Sequence, residues 1–168
     1  MSGLLNDLLV LIQDSFGLGE PPARGHLVKF DGFDELDKTH AIEVFLGKTA
    51  QDVSRALSED RLGTQSDIED LLVMEPAGYR YYLAPYLIRI IQNEGEEAGN
   101  LEFAGFVMFS VREIVRLRGV EAFTATQRAA LSALSSHLVE RCRERTEQDT
   151  WAEPLLEDLE FVRATLRA

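Results

Sequence analysis

The 13 residues from Tyr79 to Ile91 constrain the fold more than any other stretch. They hold all four tyrosines of the chain, five large aliphatic residues and two arginines. At 100° per residue, Tyr79, Leu83, Tyr86, Leu87 and Ile90 share one broad face, which Tyr82 and Ile91 widen on either side. A helix apolar over most of its circumference belongs in the middle of a domain. Tyr79, Tyr82, Leu83, Pro85, Tyr86 and Leu87 are therefore expected in the core. Pro85 lacks the N–H that the carbonyl of Tyr81 needs, and its ring crowds that carbonyl. The segment is expected to kink there or to restart as two half-helices.

The remaining chain reads as helices separated by turns. Leu4, Leu5, Leu8, Leu9, Ile12 and Phe16 recur at steps of three and four, predicting an amphipathic helix over 3–16 stopped by Gly17. A connector follows with Gly17, Gly19, Pro21, Pro22 and Gly25. No strand precedes it and no Lys-Ser/Thr pair follows, so it is not a phosphate-binding turn. Asp34 is placed to cap a second helix reaching Leu46, with Glu35 and Asp37 in its first turn and Gly47 beyond its end. Thr49 opens a shorter helix to Ser58, and Ser66-Asp67-Ile68-Glu69 reads as a capping box. The tyrosine helix starts at Pro76, a residue suited to a first turn.

Residues 93–100 read as a flexible acidic link. A helix is expected from Leu101 to Leu117, with Glu102, Arg112, Glu113 and Arg116 in one polar arc and Phe109 stranded in the middle of it. Thr124 and Gln127 form the next capping box, with Phe123 placed as a staple against Arg128 or Leu131. That helix runs to Arg145 with Leu131, Leu134, Leu138 and Cys142 inward. A C-terminal helix fills 149–168. Nothing alternates with period two for long enough to make a strand. The expected fold is a single all-α domain, residues 1–168, of six to eight helices around the kinked tyrosine-rich helix.

Two segments together resemble a known family: Tyr79-Arg80-Tyr81-Tyr82-Leu83-Ala84-Pro85-Tyr86-Leu87, and Phe123-Thr124-Ala125-Thr126-Gln127-Arg128-Ala129-Ala130. They are similar to a family of small bacterial proteins known only as a domain of unknown function. Its members carry Phe/Tyr-Arg-Tyr-Tyr-Leu-Pro-Ala-Tyr-Leu and a later Phe-Thr-x-x-Gln-Arg-x-Ala. Ala84-Pro85 here stands where the family more often has Pro-Ala. The similarity covers residues 10–140, and it implies a helical fold and a bacterial source.

Charge narrows the partners. The chain has 29 acids against 17 Lys and Arg, a formal net charge of −12. Residues 1–100 carry 18 acids against 8 bases, a net of −10, and residues 101–168 carry 11 against 9, a net of −2. So acidic a chain repels nucleic-acid phosphates and anionic membranes, and no apolar run approaches the roughly 20 residues of a membrane span. The N-terminal leucines lack a basic n-region and a cleavage site, so a signal peptide is not expected. With one cysteine and no such leader, a cytoplasmic location is the expectation.

Chemistry-bearing patterns are sparse. Asp37, His40 and Glu43 line up at i, i+3 and i+6, which is conceivable for a metal, but a histidine on a half-buried helix is more often structural. Cys142 has Arg141 and Arg143 beside it, yet it lies on an inner stripe, where cysteine acts as a small hydrophobe. No serine sits in a Gly-x-Ser-x-Gly elbow. No catalytic residue, metal site or cofactor is expected. The function expected is that of a non-enzymatic acidic binding protein, in build like a bacterial immunity-type protein that neutralises a toxin by direct contact. Its partner would be a basic protein meeting Asp31, Asp34, Glu35, Asp37, Glu94, Glu96 and Glu97, with Phe109 as apolar anchor. The alternatives are a small-ligand-binding or adaptor module built on the tyrosine helix, and an enzyme with a scattered site.

Overall fold

The computed structural model describes residues 3–17, 19–23, 27–28, 35–93, 101–145 and 149–167, the side chains of 35–37 excepted. Eight α-helices occur among them: α1 (Gly3–Phe16), α2 (Glu35–Phe45), α3 (Ala50–Ser58), α4 (Gln65–Glu69), α5 (Pro76–Asn93), α6 (Leu101–Arg118), α7 (Ala125–Arg145) and α8 (Ala152–Leu166). Short 3-10 turns at Asp70–Val73 and Val120–Ala122 join neighbours. Among the described residues the only β contact is one isolated antiparallel bridge, Val28 to Met74. The fold is all-α.

The caps show why the helices begin and end where they do. Thr49 Oγ1 accepts from the Asp52 amide (3.2 Å), and Asp52 accepts in return from the Thr49 amide (2.9 Å), which fixes the start of α3. The Thr49 amide and hydroxyl both donate to the Asp52 carboxylate and hold it below its usual value. The same reciprocal pair joins Thr64 and Asp67 at the start of α4. The box expected at Ser66 is thus displaced two residues upstream. Asp67 is its third-position acid, and it also accepts from the Gly63 amide (3.1 Å). Gly17 and Gly119 end α1 and α6 with φ of 49° and 75°, a region open to glycine.

Helix α5 is the hydrophobic centre of the chain. Eleven of its eighteen residues are buried, among them Tyr79, Tyr82, Leu83, Pro85, Tyr86 and Leu87. It packs against α1 on one side and α3 on another. Helix α1 also meets α7, α7 lies along α8, and α8 lies along α6, closing the bundle. The buried apolar residues form one continuous cluster from Leu5 to Leu166. Pro85 lies inside α5 as a single continuous helix, so the restart as two half-helices does not occur.

The tyrosines hold neighbouring helices by their hydroxyls as well as their rings. The Tyr82 hydroxyl donates to the last carbonyl of α2, Phe45 (2.7 Å), and lies 2.9 Å from the Lys48 carbonyl. The adjacent Tyr81 hydroxyl accepts from the Ala50 amide, the first of α3 (3.1 Å). Consecutive residues of α5 thus satisfy the C-terminus of one helix and the N-terminus of the next, groups that helix geometry leaves orphaned. Ser110 of α6 spends its only proton on the Val107 carbonyl (2.7 Å), so Tyr79 is the donor in the 3.3 Å bond between their hydroxyls. Tyr86 is fully buried, yet its hydroxyl has no partner among the described residues.

Two further expectations are corrected and a third is extended. Phe123, expected to staple against Arg128 or Leu131, also reaches beyond its own helix. Its ring is 1% exposed and meets Tyr79 and Phe16 edge-on, at centroid distances of 5.8 and 6.5 Å. Leu4 faces solvent at 58% exposure, because the inner stripe of α1 is Leu5, Leu8, Ile12 and Phe16. The C-terminal helix begins at Ala152, after a turn in which the Trp151 amide donates to Asp149 (2.9 Å).

Candidate functional site

Helices α4, α6 and α8 leave an open cleft of about 320 Å³ between them. Spacing on two helices builds most of its wall. On α6, Gly105, Phe109 and Arg112 follow at i, i+4 and i+7; Trp151 at the N-cap of α8, with Leu155 and Asp158 within it, does the same. Glu69 at the end of α4 and Leu72 in the turn after it also line the wall. Trp151 lies across Gly105, where an added Cβ would stand 3.5 Å from the indole, and it meets Phe106 edge-on at 5.1 Å. Phe109 is left 40% exposed.

One ion pair bridges the floor of the cleft. Arg112 Nη1 donates to Asp158 Oδ1 (2.5 Å), and the same guanidinium sits 5.8 Å from the Phe109 ring centroid. Burial lifts the Asp158 carboxyl above the usual carboxylate range, while the bond from Arg112 pulls the other way. The Asp158 carboxylate in turn raises the basicity of Arg112. Ser110, also on the wall, has both its proton and an acceptor position committed within the fold. The cleft thus offers apolar surface edged by charge.

Of the residues expected to bind a partner, Phe109 alone has a described side chain. Asp31, Asp34, Glu94, Glu96 and Glu97 lie outside the described residues, as does the link at 94–100. Glu35 and Asp37 begin α2, but their side chains lie outside the description too. The tyrosines divide: Tyr79, Tyr82 and Tyr86 are core, whereas Tyr81 also borders a shallow recess of about 480 Å³ beside Pro21 and Gln51. Arg80 donates to the Ala122 carbonyl (2.9 Å).

His40 Nδ1 pairs with Asp70 Oδ2 at 2.7 Å, tying α2 to the 3-10 turn after α4. No group of three His, Cys, Asp or Glu with metal-binding geometry occurs among the described residues. Cys142 is fully buried on α7. No helix among the described residues is long and apolar enough to cross a membrane.

Trp151, Phe106, Arg112 and Asp158 were not singled out by sequence as site residues. The one signal pointing toward them was Phe109, an aromatic interrupting a polar arc. Comparison with protein-family models, with curated proteins and with solved structures finds no match to this chain.

Proposed function

We propose that this chain is a non-enzymatic acidic binding protein that recognises another protein through the α4–α6–α8 cleft. The observation that carries the reading is Phe109, held 40% exposed at an apolar cleft also lined by Trp151 and Leu72. Aromatic residues at the centre of a patch commonly supply most of an interface's affinity. The commitment of Ser110 and of the Arg112–Asp158 pair within the fold favours recognition over turnover. A toxin-neutralising immunity-type protein has this build, and the bacterial source implied by the tyrosine and Phe-Thr segments fits it. The net charge of −12 favours a basic partner.

A small-ligand or adaptor role is the second reading. A cleft of about 320 Å³ supports it weakly, standing at the low end of small-molecule sites. That volume suits one or two protruding side chains better than a cofactor.

The test places a photocrosslinking phenylalanine analogue at position 109 and, separately, at Val10, an exposed residue of α1 (53%). In the native cell, position 109 should yield a discrete protein adduct absent from position 10. Equal adducts at both positions, or none at 109, would count against the cleft.

A further inference from the structure

We infer that the occupant of the cleft is a basic segment of the partner protein, with an apolar side chain against Phe109 and Trp151 and a lysine or arginine reaching Glu69 and Glu157. The inference rests on reading the cleft as the recognition site and specifies the chemistry it selects.

Charge on the cleft wall is unbalanced. Three carboxylates, Glu69, Asp158 and Glu157, face one cation, Arg112, a net of −2. Arg112 is already spent on Asp158. Its nearest cationic neighbour on α6, Arg116, is engaged with Glu113 (3.1 Å). Glu157 is exposed and has no hydrogen bond or ion pair among the described residues, and Glu69 accepts only from the Gln65 amide (2.7 Å). Among the described residues no ion pair joins a cation to either of these exposed acids, which stand at the edge of an aromatic surface.

That combination matches one kind of side chain. Lysine and arginine carry an apolar stem that packs on aromatic surface and a charged head that stays at the wet edge. Such a head also gains from the face of an indole or phenyl ring. A second copy of this chain would bring a net charge of −12 to the same acids, so self-association is the poorer match. Nucleic acid meets the same repulsion.

Trp151 is the chain's only tryptophan and lies in the cleft, so its emission reports the site without a label. The full chain is titrated at low ionic strength with phenethylammonium and with phenylacetate, probes that share an aromatic body and differ in charge. The Trp151 signal should saturate at several-fold lower concentration with the cation. The preference should vanish in Glu69→Gln/Glu157→Gln and in about 1 M salt, where screening reaches ~3 Å. In parallel, caesium should quench Trp151 more than iodide does, relative to free N-acetyltryptophanamide, and the same double variant should remove the difference. Equal binding of both probes, or a preference for the anion, would overturn the charge inference and leave the cleft as an apolar site. Binding of neither probe, joined with no adduct at position 109, would remove the cleft reading itself.

Discussion

The same substitution at two buried tyrosines of α5 should act with opposite sign. Tyr82→Phe removes the proton donated to the Phe45 carbonyl at the end of α2, which then keeps only the Lys48 amide (3.0 Å). Losing one of two donors to a buried carbonyl costs about 0.5–1.5 kcal/mol, the usual net worth of a hydrogen bond. Tyr86→Phe removes a hydroxyl that is buried and makes no bond among the described residues. Its burial already costs the folded state the same order of desolvation, so deletion should recover part of it. The vacated space is only one oxygen, a cavity penalty of a few tenths of a kcal/mol at ~24 cal/mol per Å³. Tyr86→Phe should therefore be neutral or stabilise by up to ~1 kcal/mol, and the two variants should differ by roughly 1–2 kcal/mol. For a chain of this size that gap corresponds to a Tm difference of roughly 2–8 °C. Urea titrations at pH 7, followed by far-UV circular dichroism, measure it, with equal slopes required of both variants. Equal losses in the two variants, or a cost above ~1 kcal/mol for Tyr86→Phe, would refute the reasoning, since the second would mean the hydroxyl has a bonded partner.

Burial also lifts the phenols of Tyr79, Tyr82 and Tyr86 well above the ordinary tyrosine value. The unfolded chain then loses these protons first, so stability is complete below about pH 10 and falls above it, by ~1.4 kcal/mol per pH unit for each buried phenol. Denaturation midpoints across pH 9–11.5 should show that slope, reduced by one phenol in Tyr79→Phe. Arg112→Ala strands Asp158 at the cleft floor. Because the pair is partly exposed, the cost should be about 1–3 kcal/mol, below the ~3–5 of a fully buried pair, and Arg112→Met with Asp158→Leu should restore most of it. Gly63→Ala should destabilise by at least ~1 kcal/mol, because φ is 112° and the added Cβ would stand 3.2 Å from the Phe103 ring. A thermal melt unchanged from the parent would contradict that.

Local signals account for the parts of the fold that sequence made legible. The starts of α3 and α5, and the glycine ends of α1 and α6, each depend on one residue's conformational preference, which spacing and composition expose. The capping box near α4 was misplaced because Ser66 and Thr64 are both competent caps. The choice fell to Asp67, whose carboxylate reaches back to both Gly63 and Thr64. Phe123 was read only in part, for a different reason. A hydrophobic residue just before an N-cap looks the same whether it staples its own helix or crosses to Tyr79 and Phe16, and only the tertiary arrangement separates the two.

The cleft was harder to see because its wall joins helices that no local pattern connects. Arg112 and Asp158 are 46 residues apart, and on its own helix each reads as a solvated charge. Trp151 reads as core, since nothing in its neighbours tells that Gly105, two helices earlier, leaves room for the indole. What did show was a contradiction within α6: an aromatic in a polar arc satisfies neither a solvent face nor a core face. The structure resolves half of it. Trp151, at the N-cap of α8, lies against the buried Gly105, and Asp158 of α8 ties Arg112 inward from the same arc. Phe109 lies between those two positions on the same stripe and still keeps 40% of its surface. Among the described residues the fold covers that ring only in part, with the Arg112 guanidinium against it, and the open remainder is the surface that the proposed partner's side chain would fill.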